Sequence, residues 1–180
     1  MALFSEFKPA LRFLGKFLVI YLVGNLVYGL FVSSYIDEPD PITIWVSEQS
    51  VQVLNQFGWS VEMVNSSTKS TTHVILDDRK IMSVFEGCNG INVMIIFAGF
   101  VFAYDGSRRS MLWFLPLGLL LIHLSNLLRL VLLFIVSVDF PNYLYFTHKY
   151  LFTAAIYFVT FILWIWWISK FGNNTKPTSI

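Results

Sequence analysis

Residues 111–138 read MLWFLPLGLLLIHLSNLLRLVLLFIVSV, an apolar run in which Arg129 is the single Asp, Glu, Lys or Arg. A helix that crosses a membrane needs about 20 consecutive, mostly apolar residues, and this run exceeds that length. The whole chain is 56% hydrophobic and 13% charged, with a mean hydropathy of +0.66. These values lie outside the range of ordinary soluble domains and predict an integral membrane protein.

Hydropathy predicts three further spans, at residues 17–36, 89–104 and 150–169. The second is short, so it should begin inside the Gly87-Cys88 corner or cross a locally thinned bilayer. The expected fold is an all-α membrane protein, a bundle of about four transmembrane helices in the lipid bilayer. The formal net charge is only +1, which gives no electrostatic basis for binding nucleic acid.

The distribution of Lys and Arg predicts the orientation, because cytoplasmic loops are enriched in these residues. The segments that should lie together on the cytoplasmic side carry Lys8, Arg12, Lys16, Arg108, Arg109, Lys170 and Lys176. We therefore expect a cytoplasmic N-terminus (1–16), an uncleaved first helix (17–36), a tight cytoplasmic connector (105–110) and a cytoplasmic tail (169–180) with a disordered end.

Residues 37–87 should form a small extracytoplasmic cap. The segment is rich in Asp and Glu and too short for a large independent domain. Residues 41–57 carry apolar side chains at helical spacing and precede Gly58, which predicts a helix along the membrane interface that stops at this glycine.

The rest of the cap has the composition of short β-strands. Apolar and β-branched runs, with a turn at Asp77-Asp78 between the last two, lie at residues 59–64, 72–76 and 80–85. We expect a small β-hairpin or meander that leads directly into Cys88. Residues 88–168, with the last three spans, would then form the catalytic core.

Cys88 is the only cysteine and stands in EGCNGI (86–91), where the cap meets the second span. Arg129 lies about 27 Å beyond the cytoplasmic start of the third span at about 1.5 Å per residue. That places it near the outer boundary of a hydrocarbon core about 30 Å thick. His148 opens the fourth span on the outer side, with Thr147 as its expected N-cap. Three helices should therefore bring a thiol, a guanidinium and an imidazole to one depth.

These three groups suit acyl transfer through a thioester. A cysteine at a helix N-terminus is exposed to the positive end of the dipole, and a nearby Arg or His lowers the thiol pKa further, so Cys88 would be the nucleophile. His148 would take the thiol proton and later give it to a leaving amine. Arg129, which keeps its proton, would stabilise the oxyanion or the thiolate.

Each of these residues also has a non-catalytic interpretation. A buried cysteine is most often a small apolar residue, although the flanking Gly87 and Gly90 would let a substrate backbone approach closely. An arginine near a helix end often extends to the headgroups. Asn126 precedes Arg129 by one turn, however, which favours a polar face turned into the bundle. A histidine at an interface is by itself a weak signal.

The other histidines give little support to a metal or cofactor site. His123 lies deeper in the third span and is expected to be a hydrogen-bonded packing residue, while His73 in the cap is expected to be solvated. One cysteine and three scattered histidines show no zinc-ligand spacing. We therefore expect no metal and no cofactor.

EGCNGI at 86–91, NLLR at 126–129 and a histidine at the head of the last span resemble the exosortase/archaeosortase family of membrane cysteine transpeptidases. The similarity covers roughly residues 60–168, and the layout is most similar to the exosortase F branch. The resemblance implies that Cys88, Arg129 and His148 are catalytic. We expect the supporting residues to be Asn126, Asn89, Gly87 and Gly90. Asn89 departs from the family pattern, in which serine commonly follows the cysteine.

The resemblance also implies the substrates, which would be exported proteins held in the membrane by a C-terminal sorting signal. Such a signal has a recognition motif, a transmembrane helix and a basic tail. The enzyme would lie in the bacterial inner membrane and cut at the periplasmic face, with water or an amine as acceptor. Two other classes stay open: a non-catalytic membrane assembly or substrate-binding component, and a thiol redox or acyl-carrier protein, which the lack of a second cysteine disfavours.

Overall fold

The computed structural model describes residues 2–104 and 106–171. Asp105 of the expected connector and residues 172–180 of the expected tail lie outside this described part. The elements are α1 (Ala2–Val32), α2 (Pro41–Gln56), β1 (Val61–Asn65), β2 (Thr71–Leu76), β3 (Arg79–Phe85), a 3-10 turn (Glu86–Cys88), α3 (Ile91–Ala103), α4 (Arg108–Asp139), a second 3-10 turn (Pro141–Tyr143), α5 (Leu144–Phe146), a π-helical turn (Thr147–Leu151) and α6 (Phe152–Phe171).

Three helical segments among the described residues are long and apolar enough to cross a membrane, namely Phe7–Val32, Arg108–Asp139 and Pro141–Phe171. The protein is therefore a mostly helical membrane protein. The remaining predicted span, at residues 89–104, corresponds to α3, which is apolar but shorter. At about 1.5 Å per residue it covers about 20 Å, less than a hydrocarbon core of about 30 Å. A count of four spans therefore stays a prediction.

The first helix begins well before the predicted residue 17 and continues to Val32. Lys8, Arg12 and Lys16 interrupt the hydropathy but not the helix, because their spacing of four residues places them on one helical face. Long basic side chains near a helix end can extend their charged groups to the interface while the backbone continues. The helix therefore extends beyond the predicted span 17–36 at its N-terminal end and stops four residues before its C-terminal end, while the span itself stays a prediction.

The cap contains the helix predicted at residues 41–57, and its position along the membrane interface stays a prediction. Asp40 is the N-cap of α2, where its carboxylate accepts hydrogen bonds from the backbone N–H groups of Ile42 and Thr43. The helix ends at Gln56, and Gly58 follows with a φ of +90°, which confirms this glycine as the stop signal.

The strands of the cap form a three-stranded antiparallel sheet in the order β1-β2-β3. Asp77 and Asp78, both with positive φ, join β2 to β3 in a two-residue turn closed by the Leu76–Arg79 pair. The predicted turn is therefore correct, and the sheet is a meander of three strands. β3 passes directly into the 3-10 turn that carries Cys88.

The last helical segment runs from Pro141 to Phe171, so it begins earlier than the predicted residue 150. Thr147 lies inside this segment, on the π-helical turn, and its hydroxyl donates to the carbonyls of Tyr143 and Leu144. The expectation that Thr147 is an N-cap was therefore wrong. Pro141 is the residue at the start of the segment, because proline is tolerated in the first helical turn.

Two apolar cores lie one above the other along α4. The cap-side core joins the cap to the C-terminal half of α4 and includes Val46, Leu54, Val74, Val84, Cys88, Leu130 and Phe134. The second core joins α3, α4 and α6 and includes Phe97, Phe114, Ile122, Ile156 and Trp167. Asn126 lies on α4 between Ile122 of the second core and Leu130 of the cap-side core, and it is fully buried. A buried amide in apolar surroundings needs partners, and these partners define the candidate site.

Candidate active site

Cys88 lies in the corner between the cap and α3, at the end of the 3-10 turn. Its side chain is 2% exposed. The Asn126 amide nitrogen donates a hydrogen bond of 2.9 Å to the Cys88 carbonyl oxygen. Asn126, a fully buried polar residue of α4, therefore holds the backbone of the only cysteine, and the prediction that this face of α4 turns into the bundle is confirmed.

The two glycines beside Cys88 are required by close packing. Gly90 has a φ of +84°, and a Cβ there would lie 3.1 Å from Cγ of Asn126. A Cβ at Gly87 would lie 2.5 Å from the ring of Phe85. The Gly90 contact lets the Cys88 corner approach α4, whereas Gly87 makes room for the ring of Phe85.

His148 is the second predicted residue at this corner. Its Nε2 atom lies 4.0 Å from Sγ of Cys88, at the long end of the range for a hydrogen bond to sulfur. The imidazole is half-buried and stands on the π-helical turn. Single π-helical turns are rare and occur frequently at functional sites, because they redirect side chains within a helix.

Arg129 reaches the corner from α4. Its Nη1 atom donates to Oδ1 of Asn126 at 3.4 Å, so one amide contacts both the arginine and the cysteine backbone. The Arg129 Nε–H is buried and has no hydrogen-bond partner in the described part of the chain. Buried N–H groups are rarely left without an acceptor, so this donor is available to a group that enters the site.

Asn89 has a structural role that the sequence did not reveal. Its side-chain amide donates to the hydroxyls of Tyr28 at 2.7 Å and Thr43 at 3.2 Å, and its Oδ1 accepts from the Ile91 N–H. The Thr43 hydroxyl in turn donates to the Asp40 carboxylate at 2.6 Å. This buried network ties the first residues of α3 to α1 and α2. A serine could not bridge the same partners because its side chain is shorter and carries one donor.

The pKa of the Cys88 thiol differs from the expectation. Burial raises this pKa above its usual range, the positive charge of Arg129 lowers it, and the Glu86 carboxylate adds to the rise. The predicted lowering of the thiol pKa was therefore wrong in net direction, because burial by the cap outweighs the arginine. At neutral pH the resting group is a thiol, which needs a base to become a nucleophile.

This balance predicts the pH dependence of alkylation at Cys88. We expect the iodoacetamide reaction to reach half of its maximal rate at a higher pH in the folded protein than in the same protein unfolded in SDS. The sign follows because a raised pKa delays thiolate formation as the pH increases. Arg129→Leu should move the midpoint higher still, and Arg129→Lys should leave it near the wild type. Mass spectrometry can follow the reaction at this single cysteine, and a folded midpoint below the unfolded one would contradict the prediction.

The remaining histidines have side-chain partners other than Cys88. Nε2 of His123 lies 2.7 Å from Oε1 of Gln49, and its ring stacks on Trp45 with centroids 4.8 Å apart. It is a hydrogen-bonded packing residue between α4 and α2, as predicted. His73 is half-buried on the sheet and lies 3.0 Å from the Ser83 hydroxyl, so the expectation of simple solvation was wrong.

A groove of 430 Å³ leads along the cap to His148. One wall consists of residues 80–83 and Phe85 of β3, and the opposite wall carries Ser137 of α4 and Tyr145 of α5. The imidazole of His148 therefore faces both the Cys88 sulfur and an open groove. Cys88 itself does not line the groove, so a chain segment in the groove would contact His148, which lies beside the thiol.

Comparison with known families agrees with this geometry. A family model described as transmembrane exosortase (Exosortase_EpsH) matches residues 7–167. No curated protein and no solved structure shows a significant match. The matched range contains the Cys88 corner, the Asn126–Arg129 turn of α4 and His148, and it covers most of the chain. The protein therefore belongs to the transmembrane exosortase family.

Proposed function

We propose that this protein is a membrane cysteine protease or transpeptidase that cleaves C-terminal sorting signals of exported proteins through Cys88, His148 and Arg129. It would belong to the short exosortase F branch and lie in a bacterial inner membrane. Its four spans would leave both termini cytoplasmic and the site at the periplasmic face. Family membership supports this general activity, and the distribution of Lys and Arg supports the orientation.

The observation that carries the proposal is the pair formed by the Cys88 sulfur and the His148 Nε2 atom, 4.0 Å apart beside Arg129. The two residues are 60 positions apart in sequence, and they come from the cap corner and the head of the last helical segment. A thiol whose pKa is raised by burial is a poor nucleophile without a base. The imidazole, 4.0 Å from the sulfur, can serve as this base.

The reaction then follows from the chemistry of these groups. His148 Nε2 takes the proton from the Cys88 sulfur as the sulfur attacks the scissile carbonyl carbon. The tetrahedral intermediate collapses when the C–N bond breaks, and the leaving amine takes the proton from Nε2. A thioester on Cys88 remains. Attack by an amine or by water, which gives its proton to Nε2, forms an amide or an acid and regenerates the thiol.

Arg129 would stabilise the oxygen that becomes negative during both steps. Its buried Nε–H lacks an acceptor, and its Nη1 is held by Asn126. A preorganised donor of this kind stabilises the transition state more than the neutral carbonyl of the substrate. The guanidinium stays protonated throughout, so it contributes charge and hydrogen bonds but no proton transfer.

A membrane anchor on the substrate fits the position of the site. If the substrate is held by its own helix beside the bundle, its scissile bond stays at the outer boundary and encounters the enzyme by lateral diffusion. This confinement contributes to the rate because it reduces the entropy lost on association.

The direct test is a covalent adduct on Cys88. The probe is an exported, epitope-tagged reporter that ends in a sorting segment, a membrane helix and a basic tail encoded in the same genome. We expect membranes to contain a reporter–enzyme adduct that hydroxylamine cleaves, as it cleaves thioesters, together with a released tail fragment.

The matched control is Cys88→Ala, which should insert in the membrane at the wild-type level and form neither adduct nor fragment. Cys88→Ser preserves the size of the side chain and should behave in the same way. A reporter that is cut equally well with Cys88→Ala would contradict the proposal and favour a non-catalytic assembly component.

A further inference from the structure

β3 is an edge strand of the three-stranded sheet. The sheet has the order β1-β2-β3, so β2 occupies one side of β3, and no strand in residues 2–104 or 106–171 pairs with the other side. An unpaired strand edge presents a row of backbone N–H and C=O groups that can bind another extended chain.

The groove runs along this edge. Side chains of successive strand residues point to opposite faces of a sheet, yet residues 80–83 all line the same groove. Ile81 is a bulge residue without a partner on β2, but Met82 and Ser83 pair regularly with β2 and so point to opposite faces. A groove lined by both of them lies at the free edge of the strand, because β2 covers the other edge. The opposite wall, with Ser137 and Tyr145, stands apart from the strand, and the volume of 430 Å³ lies within the range of ligand sites.

The groove is continuous with the candidate active site. His148 lines its end, and β3 itself enters the turn that carries Cys88. The features that protect strand edges are the exposed Arg79 and Lys80 and the bulge at Ile81, and they lie in the first half of β3, where Lys80 and Ile81 also line the groove. The edge is therefore least protected where it approaches the thiol.

We infer that the groove binds the segment of the substrate that precedes the scissile bond, as an extended strand added to the outer edge of β3. The inference rests on the proposed function and adds the mode of recognition. Main-chain hydrogen bonds would supply affinity, and pockets for alternate side chains would supply specificity.

Chain direction makes this strand parallel to β3. The acyl part of the substrate precedes the scissile carbonyl, so its C-terminal end must lie at Cys88 while its N-terminal end extends along the groove. β3 also runs from Arg79 at the far end to Phe85 at the cysteine corner. The segment that follows the scissile bond enters the membrane and cannot occupy this edge.

The first test blocks the groove without a change to the reacting groups. Ser137 lines the groove, and its hydroxyl donates to the Leu133 carbonyl. Ser125 makes the same bond to Leu121 on the same helix and does not line this groove. We expect Ser137→Trp to slow cleavage of the reporter at least about tenfold, through the loss of more than one main-chain hydrogen bond. Ser125→Trp should stay within about twofold of wild type.

The second test uses the reporter itself. A strand that adds to an edge bonds through every second residue, so single proline substitutions along the acyl segment should slow cleavage with a period of two. Each affected position should cost about fivefold or more, the effect of one lost hydrogen bond. Alanine substitutions at the same positions should not show this period.

The outcomes separate the two proposals. If the wild-type enzyme forms no adduct and cuts no reporter, the proposed function fails and strand addition fails with it. If the wild type cuts the reporter but Ser137→Trp matches Ser125→Trp, or the proline scan shows no period of two, only strand addition is overturned. The pH midpoint of Cys88 alkylation should be unchanged in Ser137→Trp. A shifted midpoint would mean that the tryptophan distorts the site around Cys88, and the slow cleavage would then not support strand addition.

Discussion

Arg129→Leu should lower the rate of reporter cleavage by about 10²- to 10³-fold, the loss that follows removal of one preorganised oxyanion donor. The leucine fills similar space but leaves the developing negative charge in a buried corner without a donor. It also removes the positive charge that lowers the thiol pKa, so less thiolate forms at a given pH. Both changes act in the same direction. The measurement is the initial rate of tail release in membranes.

Two variants distinguish this effect from a general loss of folding. Arg129→Lys keeps the charge but loses the Nε–H and the planar guanidinium, so it should regain only part of the rate. Arg109→Leu makes the same change near the N-terminal start of α4, twenty residues before Arg129 in the same helix, and should cleave at the wild-type rate. If Arg129→Leu inserts normally and cleaves as fast as the wild type, Arg129 has no role at the reacting carbonyl.

Asn126 shows which part of the site could be predicted from sequence. Its position one turn before Arg129 indicated a polar face turned into the bundle, because polar side chains within a span rarely face lipid. Hydropathy and helix rise also placed Cys88, Arg129 and His148 at one depth. These are one-dimensional arguments, and they succeed because a membrane restricts helices to a narrow range of directions.

Asn89 and the Cys88 thiol show what could not be predicted. The partners of Asn89 lie 61 and 46 positions away, and no local pattern links a tyrosine in α1 or a threonine in α2 to this amide. The sequence offered a signal only for the start of α2: the Asp40-Pro41 pair is typical of an N-cap followed by a first helical residue. The thiol pKa depends on burial by the cap, which is a property of the tertiary structure alone.

The helices α1 and Pro141–Phe171 begin before the predicted spans at residues 17–36 and 150–169, for a related reason. Hydropathy detects where apolar residues end, whereas a helix ends where its backbone hydrogen bonds end. Lys8, Arg12 and Lys16 are not apolar, yet the backbone hydrogen bonds of the helix continue through them. At the other end of the chain, Pro141 and the residues after it continue as 3-10, α and π turns, so no isolated N-cap forms at Thr147.

His148→Ala should lower the cleavage rate by about 10²- to 10⁴-fold, the usual contribution of a general acid–base group. The loss has two sources, since the imidazole would both remove the thiol proton and protonate the leaving amine. His148→Gln keeps a similar size and a polar side chain but accepts no proton, so it should be as slow as His148→Ala. The measurement is again tail release from the reporter.

Imidazole in solution gives this prediction a readout that a structural role would not produce. His148 lines the open groove, so truncation to alanine leaves a space that a free imidazole molecule can enter from the outer side. Added imidazole should therefore restore part of the rate to His148→Ala and none to Cys88→Ala. His123→Gln is the matched control, because His123 bonds Gln49 and stacks on Trp45 away from the thiol. It should cleave near the wild-type rate and gain nothing from imidazole. If His148→Ala cleaves at the wild-type rate, His148 is not the base. If it cleaves slowly and imidazole does not raise the rate, His148 is a positioning residue.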